Sequence, residues 1–328
     1  MNKGTYTYKF VFGTLIAILL IVIGSSLLRG FSDKESSFTR YLLNAPFNGR
    51  AGHTCTVFKG KLWLIGGWDG NNPYNDVWYS KEGLHWYSAG EMPFKKRAGH
   101  TAFVFNDKLY VVGGLSFDEF KNIIDMNDVW VTDDGMNWQC IKETAEFMPR
   151  GGHACALFRN KVYLVGGIAC GAEAYKTEDG ISWNRLASKL PFGSRGGHVL
   201  TNFKNKLWLI GGIRVDRNNN FMSFSDVWNS GDGIHWKKVA SDMPFFAGGG
   251  HGCVVYKNSL WVIGGFRKGG TVYRSDDGMN WELFNSFTPM GERVSHSCTV
   301  FKDRIIIIGG FDGTGNRAVR RRLHHRHL

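Results

Sequence analysis

RAGHTAFVFNDKLYVVGG, residues 97–114, decides the fold. A β-prone run from Thr101 to Phe105 follows Arg97 and His100. The chain then turns at Asn106-Asp107 and runs Leu109-Tyr110-Val111-Val112 into Gly113-Gly114. Asn and Asp tolerate the positive φ that two-residue hairpin turns require. A short apolar run closed by glycines reads as a strand buried on both faces. The stretch is therefore a β-hairpin, ended where only hydrogen side chains let backbones pass closely.

Working outward, the same unit returns. Its histidine recurs as His53, His100, His153, His198, His251 and His296, at spacings of 47, 53, 45, 53 and 45. Thirteen residues after each comes the first glycine of a pair: Gly66, Gly113, Gly166, Gly211, Gly264 and Gly309. A second hairpin follows in five copies, as two aromatics eight apart: Trp78 and Trp86, Trp130 and Trp138, Tyr175 and Trp183, Trp228 and Trp236, Tyr273 and Trp281. Between them lies an acidic residue followed by glycine, as in Asp134-Gly135, a strong turn signal. Four strands in each unit of about 48 residues make one propeller blade. The sixth unit stops short of its second hairpin. Phe38 to Leu43 aligns with the strand that begins at Trp236, and this predicts that it supplies the missing outer strand, with Arg317 to Leu323 as the third.

Arg-x-Gly-His at the start of four units (Gly-Gly-Gly-His and Arg-Val-Ser-His in the fifth and sixth), the double glycine and the paired aromatics resemble kelch repeats over residues 36–323. Ser275 to Trp281 is similar to the Asp-box turn of sialidases. The resemblance implies an all-β, six-bladed kelch-type β-propeller, with the first strand of each blade lining a central channel. It departs from the usual pattern in the eight-residue aromatic spacing and in an Asp-Gly turn.

Composition agrees with many short strands and tight turns. Glycine is 43 of 328 residues, and the chain holds 24 Phe, 12 Trp and 11 Tyr. Six cysteines are too few for a disulfide scaffold. The net charge of +12 includes five arginines in the last twelve residues, which leaves about +7 on the body and gives no nucleic-acid stripe.

The N-terminal part carries its own expectation. Phe10 to Leu28 is uncharged and rich in Ile, Leu and Val, long enough as a helix to span a bilayer. The domain reading is a cytoplasmic n-region at 1–9, a transmembrane signal-anchor at 10–28, a linker at 29–35, the propeller at 36–323 and a basic tail at 324–328. It places the propeller outside the cytoplasm, in a bacterial periplasm or at the cell surface. Secretion after signal-peptide cleavage is the alternative.

The candidate site residues are arginines. Arg50, Arg97, Arg150, Arg195 and Arg293 occupy the same turn in five units, and Gly248 stands there in the fifth blade. Two roles fit. A ring of arginines at a channel mouth binds carboxylates, or each arginine braces its own blade. Arg214 and Arg217 lie in the linker Ile213 to Ser225, which together with Leu115 to Asn127 is longer than its counterparts, and long surface loops often contact ligands. The sequence thus predicts a ligand-binding or protein-interaction scaffold, its partner a protein or an acidic carbohydrate or peptide. A sialic-acid mutarotase-like or sialidase-like enzyme is the alternative. No cofactor, metal or catalytic residue is expected. The histidines sit one per blade around a wide ring, whereas a metal needs its ligands around one point.

Overall fold

The computed structural model describes residues 19–23, 38–42, 45–168, 170–215, 221–241, 243, 248–266, 270–286 and 291–312. Two N-terminal strands, β1 (Leu19–Ile23) and β2 (Phe38–Leu42), precede five contiguous four-stranded blades. Blade one is β3 (Thr54–Phe58), β4 (Lys61–Trp68), β5 (Pro73–Ser80) and β6 (Tyr87–Glu91). Blade two is β7 (Thr101–Phe105), β8 (Lys108–Phe117), β9 (Ile123–Thr132) and β10 (Trp138–Lys142). Blade three is β11 (Ala154–Phe158), β12 (Lys161–Val165), β13 (Ala174–Thr177) and β14 (Asn184–Ala187). Blade four is β15 (Val199–Phe203), β16 (Lys206–Val215), β17 (Phe221–Ser230) and β18 (Trp236–Ala240). Blade five is β19 (Gly252–Tyr256), β20 (Ser259–Ile263), β21 (Val272–Ser275) and β22 (Glu282–Asn285). The chain then adds β23 (Ser297–Phe301) and β24 (Arg304–Ile308).

The expected architecture, six blades preceded by a transmembrane helix, needs correction. Five blades are contiguous. The remaining sheet is composite, in the order β2-β1-β24-β23. Its third strand is β1, drawn from the segment read as a membrane anchor, with Val22 opposite Ile306 on one side and Thr39 on the other. No helix occurs among the described residues, and none there is long and apolar enough to cross a membrane. The misreading has a physical cause. The uncharged stretch Phe10 to Leu28 meets the hydropathy test for a bilayer span, and the Leu-Leu-Ile-Val-Ile run within it has the composition of an interior sheet strand. The remainder of Phe10 to Leu28, and the expected strand Arg317 to Leu323, lie outside the described residues.

Local turn chemistry builds each blade. Asn106 and Asp107 have φ of 48° and 56°, as the first hairpin requires. In the second hairpin of blade two, the Thr132 hydroxyl accepts the Gly135 N–H while the Asp134 carboxylate accepts those of Met136 and Asn137. Gly135 has φ of 85°, and a Cβ there would lie 2.3 Å from the Trp63 ring of blade one. The turn of one blade thus rests on the second-strand aromatic of the preceding blade. Gly180 meets Tyr110, Gly233 meets Tyr163, and Gly278 meets Trp208 in the same way.

The core lies between neighbouring sheets. Phe58, Trp63 and Ile65 of blade one pack with Leu109 and Val111 of blade two, and equivalent clusters fill each gap around the axis. A ring of backbone hydrogen bonds encircles that axis. Gly99 donates to Gly52, Gly152 to Gly99, Gly197 to Gly152, Gly250 to Gly197, Ser295 to Gly250, and Gly52 back to Ser295. The ring closes the propeller at its inner edge, independently of the outer strands of the composite sheet.

Candidate functional site

The repeated arginines sit just before this ring, and their geometry is that of a brace. Arg97 is fully buried. Its guanidinium forks onto the Asp128 carboxylate, with Nη2–Oδ2 at 2.7 Å and Nη1–Oδ1 at 2.9 Å. Nη1 also donates to the Gly113 carbonyl and Nε to that of Lys95. Arg50 pairs with Asp76, Arg150 with Glu173 and Arg195 with Asp226, each also donating to the carbonyl of the first glycine sixteen residues on. Arg293 is half-buried and donates to the Gly310 carbonyl. A ligand reaching this ring meets four guanidinium groups whose charge a carboxylate already engages.

The carboxylate partners carry a sequence signal of their own. Asp76, Asp128, Glu173 and Asp226 stand two residues before the first aromatic of the second hairpin, and Thr271 holds that place in blade five. The blade that has Gly248 for arginine thus also lacks the acid. The aromatic completes the unit: Trp78, Trp130 and Trp228 donate Nε1–H to the carboxylate, and Tyr175 donates its hydroxyl to Glu173. The backbone locks the unit to its neighbour, since Gly67 donates to the Arg97 carbonyl, Gly114 to that of Arg150 and Gly310 to that of Arg50.

The histidine belt lies beside the arginines and is equally buried. His53 Nε2 meets the Ser297 hydroxyl at 2.9 Å, His100 meets Thr54 at 3.1 Å, and His153 meets Thr101 at 3.0 Å. The corresponding residues for His198, His251 and His296 are Ala154, Val199 and Gly252, which have no hydroxyl. Burial, reinforced by the Arg50 charge, pushes His53 down to about 3. Burial holds His251 at about 4. It also pushes the Cys55, Cys155 and Cys253 thiols up to about 12, so they are neutral and unreactive fillers. Among the described residues no three His, Cys, Asp or Glu side chains are grouped to hold a metal ion.

Symmetry breaks just past the double glycine that the arginines hold, where Ala98 pairs with Leu115 and Gly196 with Ile213. In blades two and four the ladder continues past the double glycine, with Phe117 opposite Ile123 and Val215 opposite Phe221. Blade three stops at Val165 and blade five at Ile263. Large apolar side chains are exposed on the two extensions, Phe120 at 76% and Met222 at 41%. Arg214 lies on the second extension, half-buried, with Nη2 on the Met222 sulfur and no carboxylate partner among the described residues. Arg217 lies outside the described residues. The arginines singled out in the sequence therefore divide into a buried ring and an arginine on a projecting ladder.

A kelch-repeat domain model of the KLHDC2/KLHL20/DRC7 type matches residues 36–167. Over those residues the chain is similar to kelch repeats. Its propeller superposes on the structure of YjhT with a TM-score of 0.67, covering 83% of this chain and 94% of that one, at 15% sequence identity. Identity that low shows a shared fold alone. A stretch of 159 residues is 28% identical to the Rho GTPase-activating protein gacHH of Dictyostelium discoideum. The match covers 45% of this chain and 10% of that protein, so the chain spans about a tenth of the length of this curated relative. Kelch propellers typically serve as protein-interaction scaffolds.

Proposed function

We propose that this propeller is an interaction scaffold, and that its partner is a protein held at the end carrying the β8–β9 and β16–β17 extensions. The observation that carries the reading is that both extensions, rising from equivalent places in alternate blades, carry an exposed apolar side chain, Phe120 on one and Met222 on the other. Repeated positions are consumed in holding the ring together, which leaves recognition to the positions that differ. A sialic-acid-processing site would need accessible arginines, and four of the ring arginines are closed inside carboxylate pairs. The test places a photoreactive phenylalanine analogue at position 120, at 222 or, as a control, at the exposed Leu283 of β22. Adducts to the same partner from 120 and 222, with none from 283, are expected. Equal labelling from all three positions, or none from the tips, removes the proposal.

A further inference from the structure

Each contiguous blade presents its fourth strand as an outer edge, and an unpaired edge is a template for another strand unless charge or brevity blunts it. β14 and β22 are four residues long and carry Arg185 and Glu282, and β18 carries Lys237 and Lys238. β10 is uncharged up to Lys142, but only Gln139 of its residues is exposed. β6 differs from all four. It reads Tyr87-Ser88-Ala89-Gly90-Glu91, uncharged for its first four residues, and every residue except Ala89 is exposed. The sheet order leaves it terminal, paired with β5 alone.

A row of aromatic rings crosses blade one and ends on that edge. Trp63 of β4 lies opposite Tyr79 of β5, which in turn lies opposite Tyr87 of β6. Successive ring centroids are 5.2 Å and 5.6 Å apart, and Tyr79 and Tyr87 stack at 29°. Burial falls along the row, from Trp63 at 1% exposure through half-buried Tyr79 to Tyr87 at 53%. In the other contiguous blades the same row ends at Gln139, Asn184, Lys237 and Glu282. A ring on an added strand would continue the ladder past Tyr87, and aromatic cross-strand pairs are stabilising.

The far end of the strand adds charge. Glu91 is exposed, stands opposite Asp76 and has no cation in ion-pair range among the described residues. Asp76 is itself taken by Arg50. Gly90 leaves the strand bare beside it, since a Cβ there would meet nothing within 4 Å.

We propose that β6 takes up an extended segment of another polypeptide as a fifth strand of blade one. The segment runs antiparallel, like the rest of the sheet, with an aromatic residue opposite Tyr87 and a lysine or arginine opposite Glu91. Main-chain hydrogen bonds hold such a strand, and the two side chains select it. A second copy of this chain does not meet these terms. Antiparallel pairing of β6 with itself about Ala89 sets Tyr87 against Glu91, which ends the ladder and leaves both acids unmatched. The site uses no residue of the β8–β9 and β16–β17 extensions, so this proposal and the one above can fail separately.

Fluorescence anisotropy of the full chain with a labelled, blocked heptapeptide, Thr-Lys-Thr-Val-Tyr-Thr-Val, tests the site. Its lysine and tyrosine are spaced as Asp76 and Tyr79 are on β5. Replacing its tyrosine by threonine, or its lysine by glutamate, should weaken binding about fivefold in each case. Tyr87→Lys should weaken binding at least about tenfold, and blade four, with Lys237 in that place, shows that the fold accepts the residue. Gln139→Lys, at the equivalent place on the edge of blade two, should leave binding unchanged. Glu91→Lys should invert the preference, so that the glutamate peptide binds better than the lysine peptide. Absence of peptide binding, equal binding by the Tyr87→Lys and Gln139→Lys variants, or a preference that Glu91→Lys leaves in place overturns the proposal. A chain that binds no peptide but dimerises through Tyr87 assigns the edge to a second copy, and overturns it too.

Discussion

Arg97 joins two blades through one residue: its side chain holds Asp128 and Gly113, and its carbonyl holds Gly67. Arg97→Ala should cost about 3 kcal/mol in urea unfolding, because Asp128 keeps a half-shielded charge with its counterion gone. Adding Asp128→Thr, after the Gly248 and Thr271 arrangement of blade five, should recover part of the loss. An additive double-mutant cycle would deny the pairing. The histidines give a pH prediction. His53, His153, His198 and His296 are held at about 3 by burial first and a neighbouring arginine or histidine second, so they stay neutral in the fold. The unfolded chain protonates its histidines below about 6.5. The unfolded state then binds more protons, and stability should be full above that pH and decline as pH falls from about 6.5 towards 3. A urea midpoint that stays flat between pH 7.5 and 4.5 would contradict this. The arginine ring was legible in the sequence. Its role was not, because the acids that engage it lie 23 to 31 residues away across the sheet.

Turns and strands were the most legible elements, since their chemistry is local. Gly135 shows why such a turn cannot drift: it combines φ of 85° with a neighbouring tryptophan ring 2.3 Å from where a Cβ would sit. Gly135→Ala should therefore cost about 2–3 kcal/mol, through backbone strain and displacement of Trp63. The substitution Gly90→Ala, with φ of 95° but nothing within 4 Å, should show the backbone part alone and cost less. Equal melting of the two variants would refute the packing role. The third strand of the composite sheet was the element misread. Its partner β24 is nearly the whole chain away, and hydropathy cannot separate a span of membrane from an interior strand. The ladder extensions were visible only as long linkers. Their pairing depends on register across a gap that composition does not report.

Across the whole molecule, closure rests on two devices: the backbone ring around the axis and the insertion of β1 between β2 and β24. Removing residues 1–30 should leave the five contiguous blades able to form but expose the β24 edge, lowering the melting temperature and promoting self-association. A deletion as stable and monomeric as the full chain would show that β1 is dispensable. The wider account assigns repeated chemistry to construction and unrepeated chemistry to recognition. The measurement that tests this most directly replaces 116–124 and 214–222 with Asn-Gly turns and follows melting and partner cross-linking from the same preparation. The account predicts a melting temperature close to that of the full chain, with the cross-linked partner lost. Retention of the partner by this trimmed propeller, at undiminished yield, would contradict it.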